Sequence, residues 1–204
     1  MKYETFFVGP MSACTYLVYG NDGKAVIIDA GGDSQRVISR ANELGVELCA
    51  VLLTHGHFDH TFGAIEYKNA GIPIGISSSD EYMLMGHRDN LGTAFGLQSP
   101  PCTPDFTFRG GDEFAFGELK FTVISTPGHT VGSCCFLCDN VCFSGDTLFL
   151  ESVGRTDFPT GSHGELINSI KKKLLTLPEC VVVCPGHDEQ TTIGHEKKFN
   201  PYLV

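Results

Sequence analysis

Ala50-Val51-Leu52-Leu53-Thr54-His55-Gly56-His57-Phe58-Asp59-His60 runs from four apolar residues straight into four potential metal ligands within six positions. The apolar tetrad has the length and composition of a buried strand. Imidazole and carboxylate are the donors that borderline divalent cations prefer. A tight turn between a strand and a helix can splay alternate side chains toward two different points, which a regular helix or strand cannot. One such loop can therefore serve two ions. Polar loop residues, or a helix cap by Asp59, would explain one or two of these side chains but not three histidines and an aspartate together.

Further ligands for two ions must come from elsewhere, and three candidates share one context, the end of an apolar strand in a glycine-containing turn. His129 lies in Thr126-Pro127-Gly128-His129-Thr130, Asp146 in Phe143-Ser144-Gly145-Asp146-Thr147, and His187 in Cys184-Pro185-Gly186-His187. A lone histidine in a turn is ordinarily a surface or hydrogen-bonding residue. Three repeats of the same context weigh against that, because glycine permits the sharp turn and strand ends are where sites are assembled.

Outward from these turns the first half of the chain predicts strands at about 3–8, 14–19, 24–29 and 48–53, a helix over Ser34–Leu44, and a second helix starting just after His60. The second half predicts strands at about 113–116, 119–125, 133–138, 141–144 and 180–184, a helix at 164–176 and a short terminal helix. Cys134–Cys138 and Cys142–Ser144 around Asp139-Asn140 form a hairpin. No repeat or low-complexity linker interrupts the chain, so residues 1–204 are expected to form one domain. Two sheets with helices on their outer faces would make a four-layer α/β sandwich; periodicity alone fits a single mixed sheet equally well.

Composition narrows the function. Of 204 residues 42% are hydrophobic, enough for a sizeable core, and 14 Lys and Arg against 24 Asp and Glu leave a formal charge of -10. A phosphate-tracking nucleic-acid binder or a partner of anionic lipid would fight that field, whereas a small-molecule substrate or bound cations would not. Apolar runs such as Ala25–Asp29 and Cys180–Cys184 fall well short of the roughly 20 residues that cross a bilayer. Nine cysteines at irregular spacing read as free thiols in a reducing compartment, and the first ten residues carry no secretory pattern, so a cytoplasmic location is expected.

His55-x-His57-x-Asp59-His60 with His129, Asp146 and His187 resembles the metallo-β-lactamase superfamily over essentially the whole chain. Thr-His-Gly-His-Phe-Asp-His, Ser-Gly-Asp-Thr-Leu-Phe, Gly154-Arg155-Thr156-Asp157-Phe158-Pro159, and the tail Thr191-Thr192-Ile193-Gly194 with Asn200-Pro201-Tyr202 are similar to the small bacterial glyoxalase II-like hydrolases. The resemblance implies an αββα sandwich of two mixed β-sheets flanked by helices. It also implies two divalent ions, zinc or else iron or manganese. By position, His55, His57 and His129 would hold the first ion, Asp59, His60 and His187 the second, and Asp146 would bridge them. A β-lactamase proper has no such bridging aspartate.

Two such cations depress the pKa of water from 15.7 to about 7, making hydroxide available at neutral pH, with Asp59 placed to orient it and carry a proton. The expected reaction is hydrolysis of an acyl thioester such as S-lactoylglutathione, whose thiolate leaves with little help. Full-length glyoxalase II enzymes grip glutathione with a C-terminal helical domain, and this chain ends at Val204. Arg155 is the expected substitute contact, competing with a structural ion pair to Asp157, whereas Lys197 and Lys198 read as a solvated helix face. Phe149 and Phe158, flanking the Asp146 loop, are expected pocket walls.

One other reaction class shares the pattern. Persulfide dioxygenases of the same superfamily hold a single iron with two histidines and one aspartate, equivalent to His55 or His57, His129 and Asp146, and share the Gly-Arg-Thr-Asp-Phe stretch. Pro159 and the 191–194 tail favour the hydrolase. The thiols of Cys134, Cys135, Cys138 and Cys142 alternate along a hairpin, which sends neighbours to opposite faces and argues against a four-thiolate zinc site. His87, His163 and His195 lie outside the strand-end turns and read as packing or surface residues, and nothing in the sequence sets the oligomeric state.

Overall fold

A computed structural model describes residues 1–203. Six strands, β1 (Lys2–Val8), β2 (Ala13–Tyr19), β3 (Lys24–Ile28), β4 (Glu47–Leu52), β5 (Ile74–Ser77) and β6 (Phe106–Phe108), lie side by side in chain order as one sheet. The first three are antiparallel and the remainder parallel. The second sheet begins with the meander β7 (Glu113–Phe116), β8 (Leu119–Ser125), β9 (Cys134–Cys138) and β10 (Val141–Gly145). A small separate hairpin follows, β11 (Leu148–Phe149) with β12 (Ser152–Val153). The chain then returns to the second sheet as β13 (Val182–Pro185), parallel to β10, and β14 (Thr191–Thr192).

Parallel neighbours need crossovers, and helices supply them. Helix α1 (Ser34–Leu44) joins β3 to β4 and buries Val37 and Ala41 against the outer face of the first sheet. It stops where Gly45 turns left-handed, at φ 66°, and its N–H caps the carbonyls of Ala41 and Asn42. Helices α2 (Phe58–Thr61) and α3 (Ala64–Asn69) join β4 to β5, and α3 buries Ala64 and Tyr67 on the same face. Helix α4 (Glu81–Leu84) and two tight turns, Arg88–Asn90 and Gly92–Phe95, lead to β6. On the far side, α5 (His163–Ser169), the wider turn Ile170–Leu174 that continues it, and α6 (Ile193–Phe199) cover the second sheet through Leu166, Ile170, Leu174 and Ile193.

Strand alternation sorts the core into three layers of contact. Along β3, Ala25 and Ile27 face the helices while Val26 and Ile28 face the second sheet. Between the sheets, Tyr16, Val26 and Leu52 meet Phe121, Phe136 and Phe143. The two-sheet, four-layer α/β sandwich is thus realised, and the single mixed sheet is not. Cys134 and Cys138 point between the sheets while Cys135 and Cys142 point under the helices. All nine cysteines are free, as their irregular spacing led us to expect. Among the described residues no helix is long and apolar enough to cross a membrane.

Local differences from the sequence reading have local causes. The helix expected after His60 begins earlier, at Phe58, inside the ligand motif. The strand expected at 180–184 sits at Val182–Pro185, and the helix expected over 164–176 widens after Ser169. Strands β5, β6 and β14 and the small hairpin are too short to show periodicity. β5 also contains Gly75, which leaves room for the Phe106 ring against its backbone.

Phe136 is fully buried between the sheets, edge-on to Phe108 at 5.5 Å. Phe136→Ala is expected to cost about 3–5 kcal/mol in denaturant unfolding, with the slope unchanged; a midpoint indistinguishable from the parent would contradict its central place in the packing.

Candidate metal centre

The ligand-bearing turns meet at one edge of the sandwich. The 54–60 loop follows β4, His129 lies beyond β8, Asp146 follows β10 and His187 follows β13. The early start of α2 explains how one loop feeds two points: His57 is extended (φ -68°, ψ 149°), while Asp59 and His60 lie in the first helical turn.

The donors form three interlocking groups, each with its atoms within 4.8 Å of one another: His55, His57 and His129; His55, His60 and Asp146; and Asp59, His60 and His187. His57 Nδ1 lies 2.8 Å from His129 Nε2, and His60 Nε2 lies 3.3 Å from His187 Nε2. Asp146 reaches toward both ends, with Oδ1 3.3 Å from His60 Nε2 and Oδ2 3.5 Å from His129 Nε2. Asp59 Oδ2 lies 3.2 Å from His187 Nε2. All seven residues named from the sequence are therefore brought together.

What orients the rings is a set of groups that the sequence reading missed. Asp29, at the end of β3, accepts hydrogen bonds from Thr54 N (2.7 Å) and Thr54 Oγ1 (2.8 Å), and its Oδ2 is 2.8 Å from His60 Nδ1. His60 thereby presents Nε2 inward. His129 Nδ1 donates to the Arg155 carbonyl at 2.7 Å, which turns Nε2 inward to face His57 Nδ1 at 2.8 Å. Asp80 is fully buried and accepts from Gly56 N (3.0 Å), Thr130 Oγ1 (2.6 Å) and Gly132 N (2.8 Å), which ties the 54–57 loop to the 126–133 loop. Asp29 had one visible signal, the strand-end setting Ile28-Asp29-Ala30-Gly31 that resembles that of Asp146. Asp80 had none.

Three atoms test whether cations fit. His55 Nε2, His57 Nε2 and Asp146 Oδ1 are buried without a hydrogen-bond partner. Such atoms cost about 1–3 kcal/mol each unless something binds them, and nitrogen lone pairs beside a carboxylate suit a divalent cation. Burial, with His60 and His129 close by, holds His55 well below the usual imidazole range. Burial brings His57 down to about 3. His60 moves the other way: burial opposes its charge, but Asp146, Asp29 and Asp59 push it well above the usual range. Burial also opposes ionisation of Asp146, yet His60 keeps it well below its ordinary value.

A cavity of about 380 Å³ opens onto this cluster. Phe149, Phe158 and Arg155 line it, as expected, together with Phe95 and with Met11 and Leu91, the last two of which the sequence reading did not single out. Arg155 makes the ion pair expected of one of its two readings, lying 2.7 Å from Asp157, and its guanidinium sits 4.1 Å over the Phe158 ring. Lys197 and Lys198 stand away from the cavity on α6, and Lys197 is 4.0 Å from Glu179. The β11–β12 hairpin wall is held from behind by the fully buried Glu196, which accepts from Glu151 N (3.0 Å), Asn200 Nδ2 (2.7 Å) and Thr191 Oγ1 (2.6 Å). Asn200 Nδ2 also donates to the Ser152 carbonyl at 3.0 Å.

Residues 8–187 match the sequence family described as the Metallo-beta-lactamase superfamily. The chain belongs to that superfamily. Within it, the chain is 38% identical over 192 residues to the hydroxyacylglutathione hydrolase GloC of Haemophilus influenzae, covering 92% of this chain and 91% of the relative. Among solved structures it is similar to the B3 metallo-beta-lactamase BLEG-1, with a TM-score of 0.92, 34% identity and full coverage of both chains. It is also similar to TTHA1623 in a di-iron-bound form, with a TM-score of 0.88 and 34% identity over 98% of this chain and all of the other. Membership makes this a metallo-hydrolase scaffold whose His and Asp cluster is suited to metal.

Two outcomes test the geometry. A methyl group on Gly186 would fall on Asp146 Oδ1 and His60 Cε1, so Gly186→Ala should lose bound metal, read by elemental analysis, while keeping the parent circular dichroism spectrum. Full metal loading would show that the crowded centre tolerates displacement. In the metal-free protein, NMR titration should find His57 neutral down to about pH 3 and His60 still protonated above 6.5; a His57 midpoint near 6.5 would overturn the burial argument.

Proposed function

We propose that this protein is a dinuclear metal-dependent hydrolase of acyl thioesters of the S-lactoylglutathione type. The observation that carries the reading is the position of Asp146 within reach of His60 on one side and His129 on the other, between two further groups of three donors. In this assignment His55, His57 and His129 hold one cation, Asp59, His60 and His187 the second, and Asp146 serves both. Zinc, iron and manganese all suit these donors, and the di-iron form of TTHA1623 supports iron as one fit.

Bound divalent cations would supply Lewis acidity, lowering the pKa of water to about 7 and polarising the thioester carbonyl. The chain's own residues do the rest. Asp59 is ionised despite its burial, because His60 and His187 hold it below the usual carboxylate range. At the cavity wall it accepts a hydrogen bond from the attacking water, aims it at the carbonyl carbon and takes its proton. The C–S bond then breaks, and a thiolate needs little acid assistance to leave. Phe149 and Phe158 enclose the acyl group in an apolar wall, and Arg155, paired with Asp157, borders the same cavity.

The resemblance to GloC supports a glutathione thioester, while that to BLEG-1 makes a β-lactam amide the competing substrate. The mononuclear iron persulfide dioxygenase needs only two histidines and Asp146; the gathering of Asp59, His60 and His187 favours the hydrolase.

Thiol release from S-lactoylglutathione by protein reconstituted with zinc, iron or manganese is expected at a kcat/KM of about 10⁴ M⁻¹s⁻¹ or more, and to disappear on chelation. Asp146→Ala should lose both metal and turnover. A fully active Asp146→Ala variant would end the dinuclear assignment. Faster turnover of a chromogenic cephalosporin, or oxygen uptake with glutathione persulfide by a one-iron form, would replace thioester hydrolysis with that chemistry.

A further inference from the structure

Beside the cavity lies a second groove, of about 770 Å³, that shares three of its walls: Leu91, Phe95 and Phe158. Phe158 is the hinge between the two. Its ring stands edge-on to His57 at 5.8 Å and also lines the groove, which therefore begins one ring away from the metal centre. The opposite wall is fixed to the same loop, because Phe95 packs on Phe58 of the ligand motif at 5.5 Å. Buried Asn90 holds the intervening backbone, accepting from Gly92 N at 2.9 Å and donating to the Met83 carbonyl at 3.4 Å.

Beyond these apolar walls the groove carries Arg88 and Asp89. The Arg88 side chain is 88% exposed; Asp89 is its nearest carboxylate, at 3.9 Å, and no hydrogen bond joins them. Arg155 is differently placed, since both its Nε (3.0 Å) and its terminal nitrogen (2.7 Å) are committed to Asp157. Arg88 is thus the uncommitted guanidinium on this side of the site. In a chain of net charge -10 an anionic substrate needs such a local cation. Asp89, whose side chain is only 18% exposed, adds an acceptor next to it.

We infer that this groove seats the thiol half of the substrate, with Arg88 taking the carboxylate and Asp89 the ammonium of a zwitterionic amino-acid head, as at the γ-glutamyl end of a peptide thiol. The inference rests on the thioester reading for its chemistry. An acyl group enclosed by Phe149 and Phe158 leaves the sulfur side pointing along the shared wall, and a peptide fills a groove of this size. Adjacent opposite charges match a zwitterion better than a simple anion, which Asp89 would repel.

The test separates binding from turnover. S-hexylglutathione, a thioether that cannot be hydrolysed, is titrated into the metal-reconstituted full chain by calorimetry, alongside S-hexyl-N-acetylcysteamine, which lacks the head. Arg88→Ala and Asp89→Ala should each weaken the glutathione thioether roughly fivefold and have a much smaller effect on the headless one. In turnover, kcat/KM should fall about fivefold more for S-lactoylglutathione than for S-lactoyl-N-acetylcysteamine. Arg88-dependent binding by a protein that hydrolyses neither thioester would sink the activity and keep the groove. No binding of the glutathione thioether, or equal affinity in parent and Arg88→Ala, would overturn the groove even if S-lactoylglutathione is hydrolysed.

Discussion

Asp29, at the end of β3, anchors the loop that brings four of the seven clustered residues to the centre. Its carboxylate accepts both the backbone N–H and the hydroxyl of Thr54 while one oxygen stands 2.8 Å from His60 Nδ1. The end of β3, the start of the ligand loop and the first turn of α2 are thereby fixed to one another. A buried imidazole with one nitrogen bound outward must present the other inward, which turns a flexible ring into a directed ligand. His129 obeys the same logic through the Arg155 carbonyl. Asp80 does for the backbone what Asp29 does for the rings, closing the 54–57 loop onto the 126–133 loop across the two sheets.

This pinning explains how so many polar groups stay buried together. Left alone, the inward-facing atoms would repel or go unsatisfied, and three of them have no hydrogen-bond partner among the described residues. The arrangement holds because the outward-facing atoms are bonded to a rigid frame of strand ends, so the cluster is preorganised and a cation can replace the missing partners without moving the backbone.

The clustering of the seven residues was legible in the sequence because their spacing has no other economical explanation: three histidines and an aspartate in six positions, then three glycine turns at strand ends. Long strands and α1 were legible for the same reason, as periodicity accumulates over seven or eleven residues. Short pieces such as β5 and β14 carry too few residues for a period. Asp29, Asp80 and Glu196 were missed because their importance lies in partners 24 to 52 residues away for the two aspartates and 45 away, at Glu151, for Glu196. A single acidic residue near a turn or helix has the same local appearance whether it caps, solvates or cross-links. The start of α2 inside the motif was hidden likewise, since histidine and aspartate suit a loop as well as a first helical turn.

Ligands and walls are carried by different kinds of structure, and this bears on specificity. Every proposed ligand sits on or within a few residues of a strand end or in the first turn of α2, where sheet hydrogen bonds fix the backbone. The walls come from connections: the tight turns at 88–95, the two-residue strands of the hairpin at 148–153, and the 155–160 segment. Changing a wall costs little stability because few sheet hydrogen bonds depend on it, whereas changing a ligand disturbs the buried cluster. In this chain the walls converge on Phe158, which stands edge-on to His57 of the cluster, carries Arg155 over its ring and borders both the cavity and the groove beside it. A side chain in that position borders the His and Asp cluster on one side and the rim of the groove on the other.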